Sequence, residues 1–192
     1  RLTLSYGLRH EFQTNLDDRL NFAPRFGIAW APGKSQQGVV RFGTGLFYNR
    51  IEPGTTYDTI RLDGKNRREI LINQPAFFPD VPAEFSGTTS HFSTLRKKAA
   101  TLNAPYLIIS TISYERQLPW KMLGSANYTW QRGIHLLRTR NINSPLPGTG
   151  LRPFPELGQV LQFESTGLST RHGLRLTLRT SISRKLSLFG SY

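Results

Sequence analysis

Apolar and polar residues alternate with a period of two along most of this chain. In the first segment the apolar positions are Leu2, Leu4, Tyr6 and Leu8, and the residues between them are polar or small. This alternation predicts β-strands with one apolar face, whereas the spacing of an amphipathic helix is nearly absent. About seven strands are predicted, around residues 2–9, 25–30, 40–48, 111–115, 122–130, 174–179 and 186–192.

The predicted connections between these strands alternate in length. Short turns are expected at 31–34, 117–121 and 181–185, and the longer connections that alternate with them are a modest polar loop at 13–19 and long spans at 49–103 and 131–170. Outer-membrane barrels have brief periplasmic turns on one side and long outer loops on the other, whereas long structureless loops are rare in compact domains. The sequence therefore predicts an all-β fold: a partial, antiparallel transmembrane β-barrel with long outer loops and short periplasmic turns.

The arginines within the predicted strands test which side of each strand faces lipid. All five of these arginines lie at the polar positions of their strands, which random placement would give about one time in thirty. An arginine that faces lipid at mid-bilayer costs roughly 2–4 kcal/mol. We therefore expect these arginines to face the barrel lumen, where Glu115 can pair with them along a ligand path. The residues predicted to be arranged in this way are Arg9, Arg25, Arg41, Glu115, Arg175 and Arg179.

Length and composition limit the class of protein. The chain has 192 residues, enough for one ordinary domain or for part of a large barrel. It begins and ends within strand patterns, so we expect residues 1–192 to be a fragment of a single outer-membrane β-barrel domain. No apolar run approaches the roughly 18 residues of a membrane helix. The absence of cysteine excludes a disulfide framework and a thiolate zinc site.

The net charge of +13 indicates an anionic partner. Two basic clusters lie in the longest predicted loop, and each can contact lipopolysaccharide phosphates or an anionic ligand; the alternative is a solvated loop. Nucleic-acid binding would require basic residues and stacking aromatics on one face. The strand arginines and the aromatic residues take opposite parities, which argues against it. The two clusters are Lys65, Arg67 and Arg68, and Arg96, Lys97 and Lys98.

The sequence carries no pattern typical of a catalytic, cofactor or metal site. The histidines are scattered without ligand spacing, and we expect them to be surface or lumen residues. A nucleophile elbow of the Gly-x-Ser-x-Gly type is absent. The sequence therefore predicts neither an enzyme nor a cofactor. The four histidines are His10, His91, His135 and His172.

Several motifs at the strand ends resemble those of TonB-dependent receptors, and most closely the Oar-like branch. The motifs are LRHE at 8–11, NFAPRFGIAW at 21–30, RFGTGLFY at 41–48, SYERQLP at 113–119, NIN at 141–143, RPFP at 152–155, ESTG at 164–167 and HGL at 172–174. The resemblance covers most of the chain except residues 51–100. It implies a barrel of about 22 strands with a plugged lumen, in the outer membrane of a Gram-negative bacterium.

The resemblance also implies function and partners. Uptake would be driven by an inner-membrane energy-coupling complex, and the partners would be membrane lipid, lipopolysaccharide, a plug domain and a transported ligand. No segment here looks like the plug or the box that contacts the energy-coupling protein, so both would lie outside these residues. Two other interpretations stay open: a plug-less outer-membrane channel or adhesin barrel, and a soluble all-β binding module.

The membrane and soluble interpretations predict opposite burial. A transmembrane sheet leaves its apolar side chains exposed on one face of an open, curved sheet when this chain is taken alone, whereas a sandwich buries them between two sheets. The residues that make this distinction are Leu2, Leu4, Leu8, Phe26, Ile28, Val40, Phe42, Leu174, Leu176 and Leu178.

Overall fold

The computed structural model describes residues 1–33, 37–64, 69–71, 77, 79–80, 92–183 and 186–192. Nine strands and one helix lie within them. The elements are β1 (Leu2–Glu11), β2 (Asn21–Trp30), β3 (Gly38–Tyr48), α1 (Pro53–Arg61), β4 (Glu69–Leu71), β5 (Phe92–Lys98), β6 (Tyr106–Leu118), β7 (Met122–Asn141), β8 (Val160–Ser183) and β9 (Leu186–Ser191). The chain divides into two compact units: Arg1–Arg50, Asn103–Leu136 and Thr166–Tyr192 form the first, and Ile51–Leu102 and Leu137–Ser165 form the second.

The first unit is an antiparallel sheet that contains the seven predicted strands. Its strands follow the order β1, β2, β3, β6, β7, β8, β9, so each strand lies beside its neighbour in this series. Chain neighbours pair antiparallel from β1 to β3, from β6 to β7 and from β8 to β9, and β3 pairs antiparallel with β6. Among the described residues β1 and β9 do not pair with each other, so the sheet is open. The predicted all-β, antiparallel fold is confirmed for this unit.

The connections of the first unit are sorted between the two ends of its sheet. β2 ends and β3 begins at one end of the sheet, where the turn 119–121 also lies, and the loop 12–20 lies at the other end. Residue 34 of the predicted turn 31–34 lies outside the described residues. β3 ends and β6 begins at this second end, where Tyr48 pairs with Tyr106. The predicted separation of short turns from the first long connection is therefore confirmed. The predicted turn at 181–185 includes residues 184 and 185, which lie outside the described residues.

The tight turn between β6 and β7 uses an unusual backbone conformation. Trp120 and Lys121 have φ of 57° and 55°, and the amide of Met122 donates to the carbonyl of Pro119 at 3.3 Å. Positive φ at both central residues is typical of a type I′ turn, which matches the twist of the flanking strands and ordinarily contains Asn-Gly. Two bulky residues in the left-handed region make this hairpin strained.

The apolar parity of the strands forms one continuous, exposed face, which we call the apolar face. Register places Leu4 opposite Ile28, Ile28 opposite Phe42, Phe42 opposite Ile112, and Ile112 opposite Tyr128. Eight of the ten diagnostic residues are exposed, and Ile28 and Val40 are half-buried. A sandwich core would bury these residues, so the soluble module is disfavoured. The eight exposed residues are Leu2, Leu4, Leu8, Phe26, Phe42, Leu174, Leu176 and Leu178.

Hydrogen-bonding groups on the apolar face satisfy one another. The hydroxyls of Thr44 and Ser110 lie 2.7 Å apart, directly opposite each other across β3 and β6. The Tyr128 hydroxyl lies 2.7 Å from Nδ1 of His172. Polar groups in an apolar environment are costly unless they are paired, so these two contacts allow the four side chains to occupy a face that is otherwise apolar.

The second unit corrects the prediction of a long unstructured span at 49–103. This span contains α1, β4 and β5, and β5 pairs with β8 in parallel, with Leu95 opposite Val160. The parallel pair departs from the purely antiparallel prediction. Pro53 lies at the start of α1, where its fixed φ and missing N–H favour a helix, but nine residues with three threonines carry only a weak helical pattern.

The predicted long span at 131–170 is also too long. β7 continues to Asn141 and β8 begins at Val160, so the connection is 142–159. The alternation of faces fails in β7 at His135, whose φ is 56°. A Cβ at Gly133 would lie 2.8 Å from Leu136 Cδ1, so residues 133 and 136 lie on the same face although they are three apart. A period-two pattern that changes parity within a strand is therefore missed.

Candidate functional site

The odd-numbered residues of β1–β3 and β6–β8 in the first unit form the polar face, opposite the apolar face. Register places Arg25 across from Gly7 on one side and Gly45 on the other. A Cβ at Gly45 would lie 3.0 Å from Arg25 Cγ and 3.3 Å from the Phe47 ring, so glycine leaves the space that the arginine occupies. The Arg25 guanidinium lies 4.5 Å from the centroid of the Phe47 ring, a cation–π contact.

Carboxylates accompany two of the other strand arginines. Arg41 Nη2 lies 3.8 Å from Glu115 Oε1, with about half of the Arg41 side chain exposed. The two residues are diagonal neighbours across β3 and β6, since Arg41 is opposite Ser113. Arg9 Nε lies 2.9 Å from Glu11 Oε1 on the same strand. The pairing of Arg41 with Glu115 agrees with the geometry expected from the sequence, while a lumen position for these groups remains a prediction.

A polar concavity of about 320 Å³ lies between β7 and β8 on the polar face. Gly173 leaves open space there, since no atom lies within 4 Å of where its Cβ would be. Arg175 was expected from the sequence, but Arg171 was missed because strand β8 was predicted to begin later. Arg171 lies four residues before Arg175 and eight before Arg179, and this even spacing, which places all three on one face of a strand, was the signal in the sequence. The polar side chains lining the concavity are those of Asn127, Thr129, Gln131, Arg171 and Arg175.

The predicted basic cluster Arg96–Lys98 lies on β5 rather than in a loop. Arg96 Nη1 donates to Asp58 Oδ2 of α1 at 3.0 Å, whereas Lys97 and Lys98 are exposed. Strand pairing with β8 therefore gives this cluster a defined backbone, and Asp58 neutralises the charge of Arg96 within the protein. The other predicted cluster, Lys65, Arg67 and Arg68, lies outside the described residues.

Sequence reasoning missed a buried carboxylate in the second unit. Glu164 is 5% exposed and accepts from two arginines of β7: Arg138 Nη2 lies 2.6 Å from Oε1, and Arg140 Nη2 lies 3.2 Å from Oε2. Two charge-assisted pairs compensate the burial of the carboxylate. The Arg-x-Arg spacing, which places both residues on one face of a strand, was the sequence signal, but this segment was expected to be a loop.

The connection 142–159 is organised by Asn143, whose side chain is fully buried. Its Nδ2 donates to the carbonyls of Phe154, Leu157 and Gly158 at 2.8–2.9 Å, and its Oδ1 accepts from the Phe154 amide at 2.7 Å. Arg152 Nη1 in turn donates to the Asn143 carbonyl at 2.8 Å. The connection is thus an ordered loop, because one amide satisfies several backbone groups that would otherwise be buried without partners.

The histidines of the described residues take separate positions. His10 stacks on Phe22 with ring centroids 4.8 Å apart, and His135 contacts Tyr106 edge-on; His91 lies outside the described residues. Within the described part of the chain no group of three or more His, Cys, Asp or Glu side chains is placed to hold a metal ion. None of the helices in that part is long and apolar enough to cross a membrane.

Comparison with known protein families finds that residues 14–192 match the model of a family described as outer membrane beta barrel domain. The chain belongs to this family. The open sheet, with its exposed apolar face and its sorted connections, is therefore part of an outer-membrane barrel, and the protein is located in the outer membrane. The comparison with curated proteins finds no match.

Solved structures with a similar fold are outer-membrane transporters and receptors. The transporter YddB of Escherichia coli has a TM-score of 0.64 at 15% identity over 93% of this chain. The ferric enterobactin receptor PfeA of Pseudomonas aeruginosa, in complex with enterobactin, has a TM-score of 0.64 at 13% identity over 99%. The siderophore receptor PirA of the same species has a TM-score of 0.59 at 14% identity over 100%. This chain spans 19%, 24% and 31% of those three chains.

Proposed function

We propose that residues 1–192 are one segment of the barrel of a TonB-dependent receptor of the Oar-like branch, which takes up a substrate or acts as a surface receptor. The observation that carries the proposal is the continuous apolar face, on which Leu4, Ile28, Phe42 and Ile112 follow one another across four strands. Such a face requires a hydrocarbon environment. The low-identity structural matches support a receptor fold, and the strand-end motifs favour this branch.

The polar face would line the lumen of the closed barrel. Arg25, Arg41 and Arg175 would present positive charge along the path of a ligand, and carboxylates of a plug domain would join Glu115 as their partners. Glycines opposite Arg25 keep the path open. No catalytic group or cofactor is assigned, because the arrangement supports binding and passage of a ligand rather than a reaction.

The partners follow from the same arrangement. Lipid would cover the apolar face, and lipopolysaccharide would contact the outer loops and their basic residues. The plug domain and the box that contacts the energy-coupling protein would lie outside residues 1–192, and the plug would contact the polar face of this segment from within the lumen. A plug-less channel or adhesin barrel is the second candidate, since its barrel wall would have the same two faces.

Single-cysteine labelling of the full-length protein in intact cells tests the topology, and this segment contributes no cysteine of its own. A cysteine at Leu146, which is exposed in the connection 142–159, should react with a membrane-impermeant maleimide. A cysteine at Lys121 in the short turn should react only after the outer membrane is permeabilised. Labelling of Lys121 in intact cells, with Leu146 protected, would contradict the orientation.

Energy coupling separates the two candidates. Small molecules taken up by cells that express the full-length protein should be measured by mass spectrometry, with and without the energy-coupling protein. A receptor of the proposed kind predicts at least one compound whose uptake requires both proteins. Uptake that persists without the energy-coupling protein indicates a plug-less channel, and no uptake of any compound in either strain favours an adhesin.

A further inference from the structure

The second unit contains a half-open pocket of about 370 Å³ between α1, β5 and the connection 142–159. Its apolar wall consists of Leu95, Phe154, Leu157 and Val160. Val160 is 3% exposed, so it forms a rigid base, whereas Phe154 is well exposed and borders the opening. The volume lies within the range of about 300–1,000 Å³ found for pockets that hold small organic ligands.

We infer that this pocket binds an amphiphilic organic anion, with an aromatic or compact aliphatic body on the apolar wall and an acidic group at Lys97. That this anion is the receptor's substrate rests on the proposed function, whereas its binding rests on the pocket alone. The sequence predicts an anion contact at the basic residues of β5, and the structure places an apolar cavity beside them.

The charge around the pocket favours an anion over a cation. Arg96, Lys97 and Lys98 line it, together with the carboxylate of Asp63. Asp58 neutralises Arg96 at 3.0 Å, and Asp63 and Lys98 have interactions of their own. Lys97 is an exposed ammonium group at the border of the cavity, and it is the group that we assign to the acidic part of the ligand.

Strand geometry places the apolar wall and the basic group of the pocket close together. Leu95 and Lys97 are on the same face of β5, and they lie opposite Val160 and Gln162 of β8. Residues two apart on a strand are separated by about 6.6 Å. A ligand whose rigid apolar body lies against Leu95 and Val160 can therefore place an acidic group within reach of the flexible Lys97 side chain. An aryl carboxylate combines these two parts.

The test is the binding of 2-naphthoate to the purified full-length protein in non-ionic detergent, measured by isothermal titration calorimetry. We expect saturable binding, and binding at least about tenfold weaker for 2-naphthylmethylammonium, which has the same body with a positive charge. Leu157→Trp, which fills the pocket, and Lys97→Glu, which reverses the charge, should each weaken naphthoate binding by about tenfold or more.

Two matched controls lie away from the pocket. Leu151→Trp places the same bulk in the same connection at an exposed position, and Lys121→Glu makes the same charge reversal in the turn between β6 and β7. Both should bind naphthoate within about twofold of the unmodified protein. Detergent partitioning contributes equally to all variants. Heat-modifiable electrophoretic mobility checks that each variant is folded. If Leu157→Trp does not fold, naphthoate binding to Lys97→Glu and the binding of 2-naphthylmethylammonium to the unmodified protein test the inference.

The absence of saturable naphthoate binding would overturn the inference, as would equal binding of the carboxylate and the amine or unchanged binding in Lys97→Glu. These outcomes are distinct from a failure of the proposed function. Binding with the expected pattern, but without uptake that depends on the energy-coupling protein, keeps the pocket and rejects the transporter. Uptake of other compounds that depends on the energy-coupling protein, without naphthoate binding, keeps the proposed transporter and rejects the pocket.

Discussion

Two adjacent substitutions on β3 test the assignment of the two faces: Phe42→Arg and Arg41→Leu. Phe42 lies on the apolar face between Ile28 and Ile112, which are its partners across β2 and β6. Arg41 points to the opposite face and lies 3.8 Å from Glu115. Because side chains alternate along a strand, neighbouring positions should respond to a change of charge in opposite ways.

The magnitudes follow from exposure and environment. An arginine on the lipid side near the bilayer centre costs about 2–4 kcal/mol, and the apolar contacts of the Phe42 ring are lost as well. Arg41 and Glu115 are each more than a third exposed, and an ion pair of that kind contributes about 0–1 kcal/mol. Phe42→Arg should therefore destabilise the barrel by at least about 2 kcal/mol more than Arg41→Leu, which is roughly 30-fold in the folding equilibrium.

The measurement is urea unfolding of the full-length protein from lipid vesicles, followed by tryptophan fluorescence, with the amount assembled in the outer membrane as a second readout. Arg41→Leu should assemble at nearly the normal level, and Phe42→Arg should be depleted. Equal destabilisation by the two substitutions, or a larger loss for Arg41→Leu, would refute the assignment of faces.

Three further predictions concern local geometry. Gly167→Ala places a Cβ 2.8 Å from a backbone carbonyl oxygen of β7 and should destabilise the barrel by about 1–3 kcal/mol in urea unfolding. Gly173→Ala is the control, because open space surrounds Gly173, and it should have little effect. Equal losses of stability in the two variants would contradict this packing. Asn143→Ala leaves buried backbone groups unpaired at about 1–3 kcal/mol and should make the connection 142–159 sensitive to protease on intact cells, unlike Ser144→Ala. Lys121→Gly relieves a positive φ and should raise stability by about 1 kcal/mol, and a loss of stability would count against the strained turn.

The first unit could be predicted from the sequence because its strands obey a local rule. Alternation along each strand separates an apolar from a polar face without reference to any distant residue. The strands β1, β2 and β3, the turn after Leu118 and the polar parity of Arg41 all follow from this pattern. The chemistry of the environment then decides which face is exposed, and lipid permits the apolar face to remain uncovered.

The second unit could not be predicted in this way because its contacts join residues far apart in the chain. Leu95 pairs with Val160, and Glu164 is buried by arginines more than 20 residues earlier. The pairing of Leu95 with Val160 leaves no periodic signal, and the Arg-x-Arg spacing at 138–140 does not indicate that Glu164 is its partner. The positive φ of His135 also interrupts the period that β7 otherwise carries. Alternation depends only on neighbouring residues, so the sequence alone determined the two faces of the barrel wall. The pairing of β5 with β8 and the pocket beside it depend on closing long loops around buried polar groups, so only the tertiary structure decided them.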